Sequence, residues 1–174
     1  KTNRKVNVTV PLRGEKKKLC DMAKENAEQK CKEYLLSSQK TDKTLARLAS
    51  LAGLETLPER IEAFDISNIG DEHITAGMVV FENGKPKKSD YRIFKMRTVS
   101  TRDDYASMRE AVSRRCAHLS DDGAVAPDLF IIDGGATHVS AAKQAMREAG
   151  YDIPTLGMVK DDKHRTRALV GEDG

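Results

Sequence analysis

Apolar residues along this chain change period several times, and each change marks an element. Residues 6–12, Val-Asn-Val-Thr-Val-Pro-Leu, alternate as a short strand that stops at Pro11. From Gly14 to about Ser37 the apolar positions are Leu19, Met22, Ala23, Ala27, Cys31, Tyr34 and Leu35, the three-and-four spacing of an amphipathic helix. A second helix, over about Lys43 to Leu51, is carried by Leu45, Leu48 and Leu51 and is broken by Gly53 and Pro58. The period then drops to two. Arg60–Asn68, Ile74–Glu82 and Ser89–Met96 read as three successive strands, and Asn83-Gly84 suits a type I′ hairpin turn between the second and third. After this antiparallel meander come a helix over about Asp103–Leu119, a strand Asp128–Ile132, a helix over about His138–Ala149 and a strand Ile153–Val159.

This order predicts an α/β fold. A three-stranded meander followed by alternating helices and strands is the order of a ribonuclease H-like mixed sheet with helices on its faces. The expected division lies near Leu57-Pro58, between a basic strand-helix-helix appendage (residues 1–57) and a sheet-containing body (residues 58–174).

Composition narrows the possibilities. With 174 residues, 39% hydrophobic and 33% charged, the chain suits one domain with an appendage and can bury a sizeable core. No run approaches the roughly 20 apolar residues of a membrane span. The basic start Lys1-Thr-Asn-Arg-Lys5 is not followed by the apolar stretch of a signal peptide, so a soluble cytoplasmic protein with no membrane partner is expected. Cys20, Cys31 and Cys116 are odd in number and lack metal-ligand spacing, which argues against a disulfide framework and a zinc site. The net charge is only +3, but residues 1–44 hold twelve Lys/Arg against six Asp/Glu. A basic appendage beside a mildly acidic body suits a polyanionic substrate; a solvated lysine-rich helix surface accounts for the same charges.

The candidate chemistry lies at two strand ends. Ile61-Glu-Ala-Phe-Asp65-Ile-Ser-Asn68 and Asp128-Leu-Phe-Ile-Ile-Asp133-Gly-Gly135 each run an apolar segment into an aspartate. A carboxylate there is costly unless a cation meets it. Two of them on neighbouring strands would begin a divalent-metal site for phosphodiester chemistry. The alternatives are an ion pair with Lys or Arg for Asp65 and a turn-forming role before two glycines for Asp133.

Several ordered segments resemble one family: Ile61-Glu-Ala-Phe-Asp-Ile-Ser-Asn68, Met78-Val-Val-Phe-Glu-Asn-Gly-Lys85, Ser89-Asp-Tyr-Arg-Ile-Phe94, Asp103-Asp-Tyr-Ala-Ser-Met-Arg-Glu110, Arg114-Arg115, Pro127-Asp-Leu-Phe-Ile-Ile-Asp-Gly-Gly135 and Gly157-Met-Val-Lys-Asp-Asp162. They look like the C-terminal endonuclease region of UvrC, the nuclease subunit of the bacterial UvrABC excision-repair system. Val10-Pro-Leu-Arg-Gly-Glu-Lys-Lys17 and Ala23-Lys-Glu-Asn-Ala27 resemble the segment preceding the nuclease core, so the likeness runs over nearly the whole chain.

The resemblance implies a ribonuclease H-like core that hydrolyses DNA with Mg²⁺ or Mn²⁺. Asp65 and Asp133 take the positions of the metal-holding catalytic carboxylates. Asp104 matches a third acidic position implicated in cleavage, although Thr101-Arg-Asp-Asp104 also has the spacing of a helix-capping box. Lys160, Arg92 and Tyr91 are candidate phosphate or carboxylate partners, with structural ion pairing as the alternative. His164 falls in a different family stretch and is a candidate neighbour of the site. The implied partners are damaged DNA and a UvrB-loaded DNA complex, with the cut on the 5′ side of a lesion.

The family's catalytic histidine, from an Asp-Glu-x-His-Arg-type motif, and its tandem helix-hairpin-helix module are not among these 174 residues. Weak or absent incision by this stretch alone is therefore expected. His138 follows Asp133-Gly-Gly, where many relatives have Gly-Gln at 137–138, and reads as a helix start or a neighbour of the metal. The rival reading is a non-catalytic ribonuclease H-like module that binds nucleic acid or a repair partner; another nuclease of the same fold is a third.

Overall fold

The computed structural model describes residues 9–69, 73–97, 103–161 and 165–172. By compactness the chain forms two units, Lys1–Lys43 and Thr44–Gly174. Helix α1 (Glu15–Ala52) is continuous where two helices are expected. The stretch between them, Ser38-Gln-Lys-Thr-Asp42, holds no Gly or Pro, and nothing in it stops helical hydrogen bonding. The stop comes at Gly53, whose φ of 68° suits a residue without a Cβ. In the first unit Leu19, Met22, Tyr34 and Leu35 of the expected apolar stripe are exposed. Residues 9–12 form no strand, and the rest of the strand expected over 6–12 lies outside the described residues.

The second unit is built on one seven-stranded sheet. Its strands are β1 (Arg60–Ile69), β2 (His73–Glu82), β3 (Lys85–Pro86), β4 (Arg92–Lys95), β5 (Leu129–Asp133), β6 (Thr155–Lys160) and β7 (Thr166–Val170). The order is β3-β2-β1-β5-β6-β7, with β4 also pairing β2. β1 is antiparallel to β2 and parallel to β5, β5 is parallel to β6, and β7 returns antiparallel to β6. Helices α2 (Asp104–Leu119) and α3 (Ala136–Glu148) complete the unit. This is a ribonuclease H-like mixed sheet, as the pattern predicts, with β7 added.

The expected third strand is split. Asn83 and Gly84 both have positive φ, 50° and 71°, as a type I′ turn requires, but after β3 the chain leaves the ladder at Pro86 for a short 3₁₀ turn at Lys88–Asp90. It rejoins β2 as β4, with Met78 opposite Arg92 and Gly77 opposite Ile93.

Alternation along the strands divides the core in two. Phe64, Met78, Val80, Phe94, Phe130 and Ile132 face α2 and α3, which contribute Met108, Val112, Cys116, Ala142 and Met146. The opposite face carries Ile61, Leu129 and Leu156, covered by Leu45 and the partly buried Leu48, Ala52 and Leu54. The last turns of α1 thus belong to the body, and the compact unit begins at Thr44, ahead of the expected division at Leu57-Pro58.

On the helix face a fully buried Glu62 meets two arginines, an arrangement the sequence reading missed. Its carboxylate accepts from Arg60 Nε at 2.9 Å and from Arg115 Nε and Nη2 at 2.7 Å each. Arg60 Nη1 also donates to Asp90 at 2.7 Å, and Arg115 Nη2 to the Val125 carbonyl at 3.0 Å. A Glu inside an apolar strand with Arg60 two residues before it was the available signal. Removing one partner of such a network strands buried charge, so Glu62→Ala should destabilise the fold by about 3–5 kcal/mol in denaturant titrations. A loss under about 1 kcal/mol would show that the network contributes little.

Cys116 lies in the same core, and burial pushes its thiol up to about 11. Cys20 and Cys31 are exposed. Two thiols should therefore react quickly with a thiol reagent in the native protein and a third only on unfolding; fast reaction of all three would contradict this packing.

Candidate active site

The parallel pairing of β1 with β5 brings the two predicted aspartates together. Ala63 lies opposite Ile131 and Phe64 opposite Ile132, and one residue further on Asp65 and Asp133 emerge on the same face, that of Ile61 and Leu129. On β6, Met158 is opposite Asp133, and two residues later Lys160 shares that face. Its ammonium is hydrogen-bonded to the Asp133 carboxylate. Asp65 accepts from Ser67 Oγ at 3.1 Å.

The two carboxylates contact each other, and Asp65 shows the cost. Burial, then the Asp133 carboxyl, push the Asp65 carboxyl above the usual aspartate range, while Ser67 and the Lys160 charge act the other way. The Lys160 ammonium is held above its ordinary value, first by its hydrogen bond to Asp133. Two oxygen-donor carboxylates on one face, one with raised proton affinity, suit a hard divalent cation. Among the described residues no group of three or more His, Cys, Asp and Glu converges at a metal-binding spacing, so the pair stands with a lysine and not with a third acid.

Close backbone packing fixes the turn after Asp133. Gly134 has φ 151°, and a Cβ there would fall 2.5 Å from His138 Cγ. A Cβ on Gly157 would meet the Gly134 carbonyl at 2.6 Å, so β6 lies directly against the turn. Gly135 caps α3. His138, in the first turn of α3, folds over Gly134 and packs on Tyr105, with ring centroids 4.6 Å apart. It is both a helix-start residue and close in sequence and space to the turn that carries Asp133.

The other predicted residues fall differently. Asp104 opens α2, where Asp103 is the cap and accepts from the Ala106 N–H at 2.9 Å. The Tyr105–His138 contact sets this helix start beside that of α3, but Asp104 joins no acidic cluster with Asp65 and Asp133. Arg92 and Tyr91 are not brought to the pair. Arg92 is in register with Met78 and Phe64 and therefore faces the helices, where its guanidinium donates to the carbonyls of Ser89 and Tyr91 at 3.0 and 2.8 Å. Tyr91 packs against the core there. A cleft of about 600 Å³ on that side is lined by Arg60, Arg92, Arg114 and Arg115 among others. His164 lies outside the described residues.

The sequence model described as the UvrC RNase H endonuclease domain matches residues 49–173, and that described as the UvrC ribonuclease H-like domain matches residues 1–34. The chain belongs to the UvrC RNase H endonuclease domain family. It is 44% identical to UvrABC system protein C of Caldanaerobacter subterraneus subsp. tengcongensis over 100% of the chain, and 42% identical to that of Alkaliphilus oremlandii over 99%. The UvrC-type chain spans 31% of the length of each of these relatives.

Among solved structures, endonuclease V of Ciona intestinalis bound to inosine-containing DNA aligns with a TM-score of 0.46 and 16% identity, covering 77% of this chain and 59% of that one. Human endonuclease V aligns with a TM-score of 0.46 and 14% identity, covering 71% and 59%. These are distant likenesses. No helix among the described residues is long and apolar enough to cross a membrane.

Replacing Asp65 by Asn removes one of the two like charges that meet at the ends of β1 and β5. Because the folded carboxyl is raised above its unfolded value, its contribution to stability is present in full below the ordinary carboxylate range and is lost as pH rises through the raised value. Asp65→Asn should match wild type in acid and gain on it toward neutral pH, by less than about 1 kcal/mol at so solvated a site. Thermal melts at both pH values test this; a gap that does not change with pH would contradict the charge-pair reading.

Proposed function

We propose that the body of this chain is a metal-dependent DNA endonuclease domain that makes the 5′ incision of nucleotide excision repair. The observation that carries the reading is the meeting of Asp65 and Asp133 on one open sheet face, in a chain of the UvrC RNase H endonuclease domain family. Asp65 and Asp133 would hold Mg²⁺ or Mn²⁺. When bound, such an ion polarises the phosphodiester, makes a water more acidic and offsets charge on the leaving oxygen.

The chain's own groups have separable tasks in this reading. Asp133 is aligned by Lys160 and by the Gly134–Gly157 packing. Asp65, held by Ser67, has a raised proton affinity, first from burial and then from Asp133, which suits a group that holds or accepts a proton during the reaction. Lys160, once released from Asp133, can pair with a phosphate oxygen. Asp104, at the start of α2, would support the site through the Tyr105–His138 contact or through water. Damaged DNA loaded with UvrB is the expected substrate complex of the intact protein, and the cytoplasm its place of work, as the relatives' role in the UvrABC system supports.

Calorimetric titration of Mn²⁺ into wild type, Asp65→Ala and Asp133→Ala tests the proposal. The expected result is binding by wild type and at least tenfold weaker binding by each variant, with circular dichroism unchanged. Equal binding in all three, or none in wild type, would exclude a metal site at this pair and favour the binding-module reading.

A further inference from the structure

Among the described residues of the second unit, the face that carries Asp65 is covered over part of its length. The end of α1 and Leu54 lie over Ile61, Leu129 and Leu156, but beyond them two rows of side chains cross β1, β2 and β4 in the open. One row runs Asp65, Gly77, Ile93 and the next Ser67, Thr75, Lys95. Asp65, Ser67, Ile93 and Lys95 are exposed, Ile93 at 76%.

Gly77 is the residue in these rows that the fold does not explain. It sits mid-strand between two regular ladders, with no bulge and no positive φ. A Cβ there would meet only the Asp65 carbonyl, at 4.0 Å, an ordinary contact. A glycine inside a strand weakens it, and where no turn or close packing requires one, it marks the approach of something outside the chain.

We propose that Gly77 is the floor over which the DNA strand runs as it leaves the carboxylate pair, an inference that rests on the nuclease reading above. Ile93, about 10 Å from Asp65 across two strand spacings, contacts the sugar or base of a neighbouring nucleotide. Lys95 on the same face meets its phosphate, and Lys160 stands on the far side of the pair. A cation at each end, bare backbone between and an exposed aliphatic side chain fit a sugar-phosphate strand with an apolar sugar face.

The test is Gly77→Val, because a β-branched residue suits a strand and has room here. Mn²⁺ binding is followed by calorimetry, and binding of a fluorescein-labelled oligonucleotide duplex with a single-stranded tail by anisotropy in Ca²⁺. The expected result is Mn²⁺ affinity within twofold of wild type and DNA affinity at least tenfold weaker. Ile93→Asp, at so exposed a position, should fold normally and show the same split. Wild-type DNA affinity in both variants, or no DNA binding by wild type, would overturn the strand path while leaving the metal site standing. Absence of Mn²⁺ binding in wild type would overturn the path together with the nuclease reading.

Discussion

The parallel register of β1 on β5 is the constraint on which the site depends. A slip of one residue would turn Asp65 toward the helices, into the contacts now made by Phe64 and Ile132, and would carry Ile61 out of its own core. The register is held by apolar residues on both faces at once, and at its start by Asp128, whose carboxylate accepts the Glu59 and Arg60 N–H groups at 2.8 Å each. Core packing far from the chemistry therefore decides which side chains meet at the strand ends. The contact of Gly157 with the Gly134 carbonyl extends the same control to Asp133 and Lys160.

Strand β1 carries two acidic residues with opposite fates. Glu62 faces the helices, is fully buried, and is neutralised by Arg60 and Arg115; no buried side-chain nitrogen or oxygen among the described residues lacks a partner. Asp65, three residues later and so on the opposite face, meets a second carboxylate and accepts from the Ser67 hydroxyl. The first arrangement serves the fold, because a buried charge without partners would be prohibitive. The second works against the fold and is tolerated where solvent and Lys160 soften the repulsion.

Much of this was legible in the chain, and the gaps have physical causes. β1, β2, the Asn83-Gly84 turn, α2 and α3 follow from periodicity and turn chemistry, and the two aspartates stood out as charges ending apolar runs. The apolar stripe of α1 lapses between Leu36 and Leu45 and so reads as two helices, although the backbone there meets no breaker. Among the described residues β7 pairs with β6 alone, and its Thr166-Arg-Ala-Leu-Val170 shows little alternation to read. The face that Arg92 takes is not legible in the sequence, because Pro86 interrupts the ladder before β4. Glu62 went unnoticed for a related reason. Its two guanidinium partners include one far away in sequence, and only the packing of α2 on the sheet reveals it.

The claim that two carboxylates share one site is tested most directly by carbon-detected NMR titration of the Asp65 carboxyl in wild type and in Asp133→Asn. Asp65 should titrate above the ordinary aspartate range in wild type. In the variant it should fall toward that range without reaching it, since burial remains when the neighbouring charge is gone. An Asp65 that titrates in the ordinary range in wild type and ignores the loss of Asp133 would mean that the two strand ends do not form one site.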